Sequence, residues 1–364
     1  NTRMGSFLDK PETSKTTEVG DAEGLRWGFS AMQGWRIDME DDHTMLTGLE
    51  HGDSFFGVYD GHGGALVSKE VAQHIWNHIT SQDEWKSGDR TDASITEAIR
   101  KGFLVMDEQL KCHPRIVEGE DHSGSTAVTT LLTKEKIYCG NAGDSRSILV
   151  RDGKAVAMSE DHKPFNEGEQ RRIEAAGGRV SMRRVNGDLA VSRALGDFLY
   201  KGADSLPAEQ QMVSPEPEFI IQDRTAEDQF LVLACDGIWD VMNNQELADW
   251  LLNMVKQGCD DLGFLSEMLL DTCLERGSKD NMSVIIIELP GAPKPAPDAI
   301  ARFKAARAEV EKEYGVGSND KDAGAGSDKA SEAGGSSESG PDGPPVGVVV
   351  QRRLEASSTG GGSA

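Results

Sequence analysis

The chain has 364 residues, 62 of them acidic and 38 basic, for a formal net charge of −24. That balance argues against general nucleic-acid binding, which needs Lys and Arg to displace phosphate counterions, and it suits an acidic soluble protein or one that holds divalent cations. The five cysteines (Cys112, Cys139, Cys235, Cys259, Cys273) are scattered without C-x-x-C spacing, and no apolar run approaches the roughly 18 residues of a membrane span, so reduced thiols in an intracellular protein are expected.

In chain order, Met4-Gly5 has the form of an N-myristoylation start, although Asp9 stands where that pattern has Ser or Thr. Residues 1–23 are polar and predict a flexible arm. Strands are expected over 25–35, 44–49 and 54–59, with an acidic turn at Asp38-Met39-Glu40-Asp41-Asp42 between the first two. Val67, Val71, Ile75 and Ile79 recur at i+4 and mark one face of a helix. A second helix is expected over 94–110, opened by Ser94 and Glu97 in capping-box spacing. Strands follow at 125–132, 136–139 and 147–150, the last leading through Arg151-Asp152-Gly153-Lys154 into a hairpin. A short helix at 166–176 stops at Gly177-Gly178, and Asn186-Gly187 marks another hairpin. An apolar strand at 229–235 ends in Asp236, helices are expected at 244–257 and 262–275, and a last buried strand at 282–289. Residues 291–314 read as a linker and a charged helix, and the Gly/Ser-rich segment 315–364 as a disordered tail. Strands joined by hairpins and flanked by helices predict an α/β sandwich (α+β): two packed antiparallel β-sheets with α-helices on both outer faces.

Several of these strands end in carboxylates. Val58-Tyr59 runs into Asp60-Gly61-His62, Cys139 is followed by Asp144 in a glycine turn, Cys235 runs into Asp236-Gly237, and Asp280-Asn281 precedes the last strand. Taken singly, Asp144 and Asp236 are ordinary turn residues, Arg36 is a surface ion pair of little worth, and His62 is a satisfied loop histidine. Taken together, carboxylates that converge at one sheet edge repel each other and demand positive charge. Hard cations with oxygen ligands, Mg²⁺ or Mn²⁺, meet that demand and suit two-metal hydrolysis. No G-x-x-x-x-G-K-[ST] loop or G-x-S-x-G elbow is present, and Cys139 and Arg146 have six residues between them where C-x₅-R needs five.

The segments MQGWRIDMEDD (32–42), VYDGHGG (58–64), SGSTAV (123–128), GNAGDSR (140–146), DHKP (161–164), NGDLAVSRALGDF (186–198), ACDGIWDVM (234–242) and SKDNMS (278–283) resemble, in order, the metal-dependent serine/threonine protein phosphatases of the type 2C family. The likeness spans about residues 24–290, the expected catalytic domain, and the opening Met4–Pro11 is similar to the animal alpha/beta branch. It implies hydrolysis of phosphoserine and phosphothreonine on proteins by a metal-bridging hydroxide, at two Mn²⁺ or Mg²⁺ ions with a weaker third. Asp60 would bridge the ions, with the Gly61 carbonyl, Asp236 and Asp280 as further ligands. Glu40 would act through water, Asp41 and Asn281 would support, and Asp144 would help hold the third ion. Arg36 would grip the phosphate, His62 would protonate the leaving oxygen, and Arg184 would lie under a flap near the substrate groove. The resemblance further implies phosphoprotein partners, a monomer, a cytoplasmic protein with the nucleus as a second compartment, and membrane contact only through a myristate at Gly5. A catalytically silent phosphoprotein-binding scaffold of the same fold is the alternative, and it sits poorly with a full set of acids. The single helix expected after residue 290 departs from the three-helix subdomain usual in that branch.

Overall fold

The computed structural model describes residues 7–22, 24–314 and 346–359. Two antiparallel sheets pack face to face. The six-stranded sheet runs, edge to edge, Phe7–Ala22, Leu25–Arg36, Met282–Glu288, Asp228–Ala234, Arg146–Arg151 and Lys154–Ala157. The five-stranded sheet runs Glu218–Asp223, Lys136–Ala142, Ala127–Leu132, Ser54–Tyr59 and Asp42–Leu46. The expected α/β sandwich is therefore the fold.

The central strands are buried on both faces, which is why they read as unbroken apolar runs. Leu231, Leu233, Ile285 and Ile287 point between the sheets to meet Phe56, Val58 and Val128. Their neighbours Val232, Ala234, Val284 and Ile286 point the other way, onto the helices Asn244–Gln257 and Leu262–Glu275. This is the two-residue alternation of a strand, with oil on both sides. The helices Leu66–Thr80 and Asp92–Lys111 cover the opposite sheet, and Val71, Ile75, Ile79, Ile99 and Phe103 pack against Phe55, Tyr59 and Leu131.

The structure corrects several sequence expectations. Phe7–Ala22 is a strand, not a loose arm. It pairs with Leu25–Arg36 and rests on the helix Leu262–Glu275 through polar groups: Thr17 Oγ1 donates to Glu267 Oε1 (2.8 Å), and Lys15 Nζ meets Asp271 Oδ1 at 2.6 Å. A strand held by ammonium and hydroxyl groups shows no apolar alternation. In the tail, Val346–Thr359 is a helix whose Val348, Val350 and Leu354 are buried, with Val350 and Leu354 joining the core beside the six-stranded sheet. Trp250 Nε1 donates to Gln351 Oε1 at 3.2 Å across that contact. The remaining tail residues 315–345 and 360–364, and residues 1–6 with Gly5, lie outside the described residues. The helix Asp92–Lys111 is capped by Thr91, whose Oγ1 accepts from Ser94 N, while Glu97 pairs with Arg100 instead of closing a capping box. The short hairpin Val180–Ser181/Arg184–Val185 turns at Met182-Arg183, and Asn186-Gly187 makes a second turn beyond it. Among the described residues no helix is long and apolar enough to cross a membrane.

Candidate metal centre

The sheets bring the carboxylates to one end of the sandwich. Ala234 pairs with Val284 in antiparallel register, so Asp236, just after one strand, and Asp280, just before the next, arrive at the same edge. Asp60 follows Ser54–Tyr59 in the facing sheet. Asp144 lies in the turn that carries the chain from Lys136–Ala142 in one sheet to Arg146–Arg151 in the other. Glu40 and Asp41 lie in a second such crossing, between Leu25–Arg36 and Asp42–Leu46.

Two groups of side chains place their ligand atoms within 4.8 Å of one another: Asp41, Asp60 and Cys235, and Asp60, Asp144 and Asp236. Asp60 is common to both. Burial, reinforced by the neighbouring Asp236, Asp41, Asp144 and Asp280, pushes the Asp60 carboxyl well above the ordinary range. Asp236 is driven up in the same way by burial and by Asp144 and Asp280. Burial lifts Asp41 to about 7 against the pull of its hydrogen bond from Ser283, and it raises Glu40 as well. Carboxyl groups so placed are poor anions until a cation joins them.

The residues fit such a cation. Asp41 Oδ2 accepts from Ser283 Oγ at 2.7 Å, while its Oδ1 is buried with no hydrogen-bond partner. An orphaned carboxylate oxygen beside Asp60 is a costly arrangement for a protein alone and a normal one for a ligand. Cys235 is already committed: its Sγ accepts from Ser283 N at 3.2 Å and donates to Asn281 O at 3.5 Å, and burial keeps the thiol far above its ordinary range. The ligand atoms on offer are thus carboxylate oxygens, which favour Mg²⁺ or Mn²⁺ over zinc.

Neighbouring groups hold these acids in place. Asn281 Oδ1 accepts from Glu40 N at 2.9 Å, and its Nδ2 donates to Gln33 O (2.8 Å) and Asp38 O (3.0 Å), which pins the acidic crossing to the last strand. Ser68 Oγ donates to the Glu40 carbonyl. Gly61 is required by space, because a Cβ there would overlap the Glu40 carbonyl oxygen. Arg36 Nη2 meets Asp280 Oδ2 at 2.5 Å. His62 Nε2 lies 2.7 Å from Asp197 Oδ2. Burial works against a charged ring at His62, but the Asp197 carboxylate outweighs it and the pKa rises.

The structure therefore gathers Arg36, Glu40, Asp41, Asp60, Gly61, His62, Asp144, Asp236, Asp280 and Asn281 at one sandwich end. Arg184 is exposed on its hairpin and donates to the Asp188 carbonyl at 2.5 Å; none of its described contacts reaches the carboxylates. Three contributors had gone unremarked in the sequence. Lys163 forms an ion pair with Asp144, Ser283 holds Asp41, and Asp197 holds His62. Asp197 carried a signal, since Ala194-Leu195-Gly196 steps from apolar residues to a carboxylate much as the chain does at Asp60.

Comparison with known proteins places these features among relatives. The family model described as Protein phosphatase 2C matches residues 25–282. The chain is 48% identical over 305 residues to Protein phosphatase 1A of Bos taurus, covering 82% of this chain and 80% of that protein. It is 45% identical over 309 residues to Protein phosphatase 1B of Mus musculus, covering 82% and 79%. Among solved structures, a C. elegans sex determining protein superposes with a TM-score of 0.65 at 29% identity, covering 78% of this chain and 68% of that one. A phosphatase from Toxoplasma gondii superposes with a TM-score of 0.67 at 24% identity, covering 76% and 96%, and shares the fold.

Proposed function

The chain belongs to the protein phosphatase 2C family and is a metal-dependent protein serine/threonine phosphatase, and from that premise we propose that it works through a binuclear Mn²⁺ or Mg²⁺ centre in which Asp60 is the shared ligand. The observation that carries this reading is the pair of ligand groups with Asp60 in common, buried among further acids that push its carboxyl well above the ordinary range. Asp236, Asp280 and the Gly61 carbonyl would complete the set around Asp60, with Asp41 buried beside it in support and Glu40 acting through water. Asp144, here paired with Lys163, would with Asp236 hold a weaker third ion. When bound, the cations neutralise the phosphate and make water a competent nucleophile near neutral pH.

The protein's own groups do the rest. Arg36 has the planar fork that matches two phosphate oxygens, and it would leave its present partner Asp280 for the phosphate if that carboxylate held a cation. His62 supplies a proton to the departing serine or threonine oxygen. Direct attack by water on phosphorus is the expected route, and the nearby thiols are no rivals to it as nucleophile. Cys235 is buried, hydrogen-bonded and held neutral, and burial pushes Cys139 up to about 12.

The test is hydrolysis of a phosphothreonine peptide with Mn²⁺. Activity should vanish with EDTA, return with excess Mn²⁺, and be lost in Asp60→Asn and Asp236→Asn. Turnover that survives the chelator, or persists in either variant, sinks the binuclear reading.

A further inference from the structure

We propose that Asp197 is the positioning residue for His62, fixing which imidazole nitrogen faces the leaving oxygen; this rests on the reading of His62 as the proton donor. The two side chains meet on a small sheet built for the purpose. Gly61–His62, Gly124–Ser125 and Leu195–Gly196 pair antiparallel, so that Gly124 stands opposite both His62 and Gly196. The ring and the carboxylate come together over Gly124, and a Cβ at that position would overlap both Asp197 Oδ2 and His62 Nε2. The space for the pair is thus written into a third residue.

Asp197 is also held where a side chain rarely sits. Its backbone is left-handed, with φ 53° and ψ 40°, and its side chain is 5% exposed. Such a conformation persists when surrounding contacts over-determine it, and here they do. Asp197 N donates to Ser123 O at 3.1 Å, and Gly196 N donates to Asp107 Oδ1 at 2.8 Å. Lys201 Nζ reaches the same Asp107 oxygen at 2.7 Å and the Ala194 carbonyl at 2.9 Å. A buried ion pair therefore braces the segment on both sides of Asp197.

The chemical consequence follows from the 2.7 Å contact. With Nε2–H donated to Asp197, the transferable proton of the charged ring lies on Nδ1. As the P–O bond breaks, the Nδ1–H bond breaks and an O–H bond forms on the serine or threonine oxygen. The ring is left neutral, still donating Nε2–H to Asp197, and it regains its proton from solvent. Without the carboxylate the ring is free to rotate or change tautomer, and the proton is misdelivered.

The test exploits leaving-group dependence. A threonine alkoxide needs a proton as it departs, whereas p-nitrophenolate departs without one. The full chain with Mn²⁺ is assayed for kcat on a phosphothreonine peptide and on p-nitrophenyl phosphate in the parent, Asp197→Asn, His62→Gln and the double variant. Asn tolerates the left-handed backbone, so Asp197→Asn removes charge without forcing the loop to move. The ratio of peptide to p-nitrophenyl phosphate kcat should fall about tenfold or more in Asp197→Asn, short of the roughly 10²–10⁴ that complete loss of general acid catalysis costs. The double variant should match His62→Gln, because both changes remove one function. The proposal is overturned if Asp197→Asn leaves the ratio at the parent value, including by losing both activities equally, or if the two losses multiply. If His62→Gln itself leaves the ratio unchanged, the donor reading falls with it; if only His62→Gln lowers the ratio, the donor reading stands and the role of Asp197 does not.

Discussion

Asp60, Asp236 and Asp41 share one electrostatic situation, and it makes metal binding a proton-exchange reaction. Burial raises all three carboxyl groups, Asp41 to about 7 and the other two well above their ordinary range. A carboxyl that carries a proton in the metal-free protein must release it before it can hold a cation. Mn²⁺ affinity is therefore expected to rise steeply from about pH 6 to about pH 8, the span in which Asp41 gives up its proton, with protons released on binding. Calorimetry in two buffers of different ionisation enthalpy measures both. An affinity flat across that interval, or binding without proton release, would show that the acids are already ionised. The same reasoning separates neighbours in the chain: in the proposed centre Asp60 would act by its charge, Gly61 by its carbonyl where no side chain fits, and His62 as a proton donor held by Asp197.

At the scale of elements, the first strand shows how a polar segment can be structural. Lys15 of Phe7–Ala22 meets Asp271, whose side chain is 2% exposed and whose Oδ2 also accepts from Gly347 N at the start of the C-terminal helix. One buried carboxylate thus ties both ends of the chain to the helix Leu262–Glu275. Burial raises Asp271 despite its ammonium partner. A group whose folded pKa is raised stabilises fully below its unfolded value and loses that contribution as pH rises through the folded value. Lys15→Met raises it further, so the variant should differ little from the parent near pH 4.5 and most above neutrality, by up to about 3 kcal/mol. Urea unfolding at both pH values checks this, and a pH-independent difference would place the role of Lys15 in its hydrocarbon stem.

The elements also mark what a sequence can disclose. Asp60, Asp236 and Asp280 were legible because long apolar strands stop or start at them, and a buried strand that meets an acid is a visible conflict. Asp197 carried only a faint form of the same signal, because its strand is only Leu195–Gly196, too short to establish a period. The first strand was hidden for a different reason: what it packs with is Glu267 and Asp271, so its inner face carries Lys15 and Thr17 where a pattern would need Val or Ile. The C-terminal helix was hidden by composition, since its few valines sit beside a Gly/Ser-rich segment and form a helix on a surface already built by Trp250 and Met268.

For the molecule as a whole, that last helix belongs to the core and not to a tail. Val350 is fully buried in the same cluster as Leu251, Met254 and Met268. Val350→Asp should undock the helix, lower the thermal midpoint by several degrees for a loss of about 2–4 kcal/mol, and red-shift the fluorescence of Trp250 as its indole meets water. Mn²⁺ affinity should persist, because the helix packs behind the six-stranded sheet and the ligands lie at its end. Unchanged fluorescence would mean the helix is not docked in solution.

The strand Met282–Glu288 comes late in the chain yet lies in the interior of its sheet, between Leu25–Arg36 and Asp228–Ala234. During synthesis, then, the early strand waits with one edge unpaired until Met282–Glu288 has been made. A nascent or prematurely ended chain exposes two open strand edges, an invitation to pairing with other chains and to chaperones and proteases. The same insertion delivers Asp280, Asn281 and Ser283. On the proposed ligand set, the ribosome's product would become competent to hold metal only when its sheet closes, and an incomplete copy would be both sticky and inert.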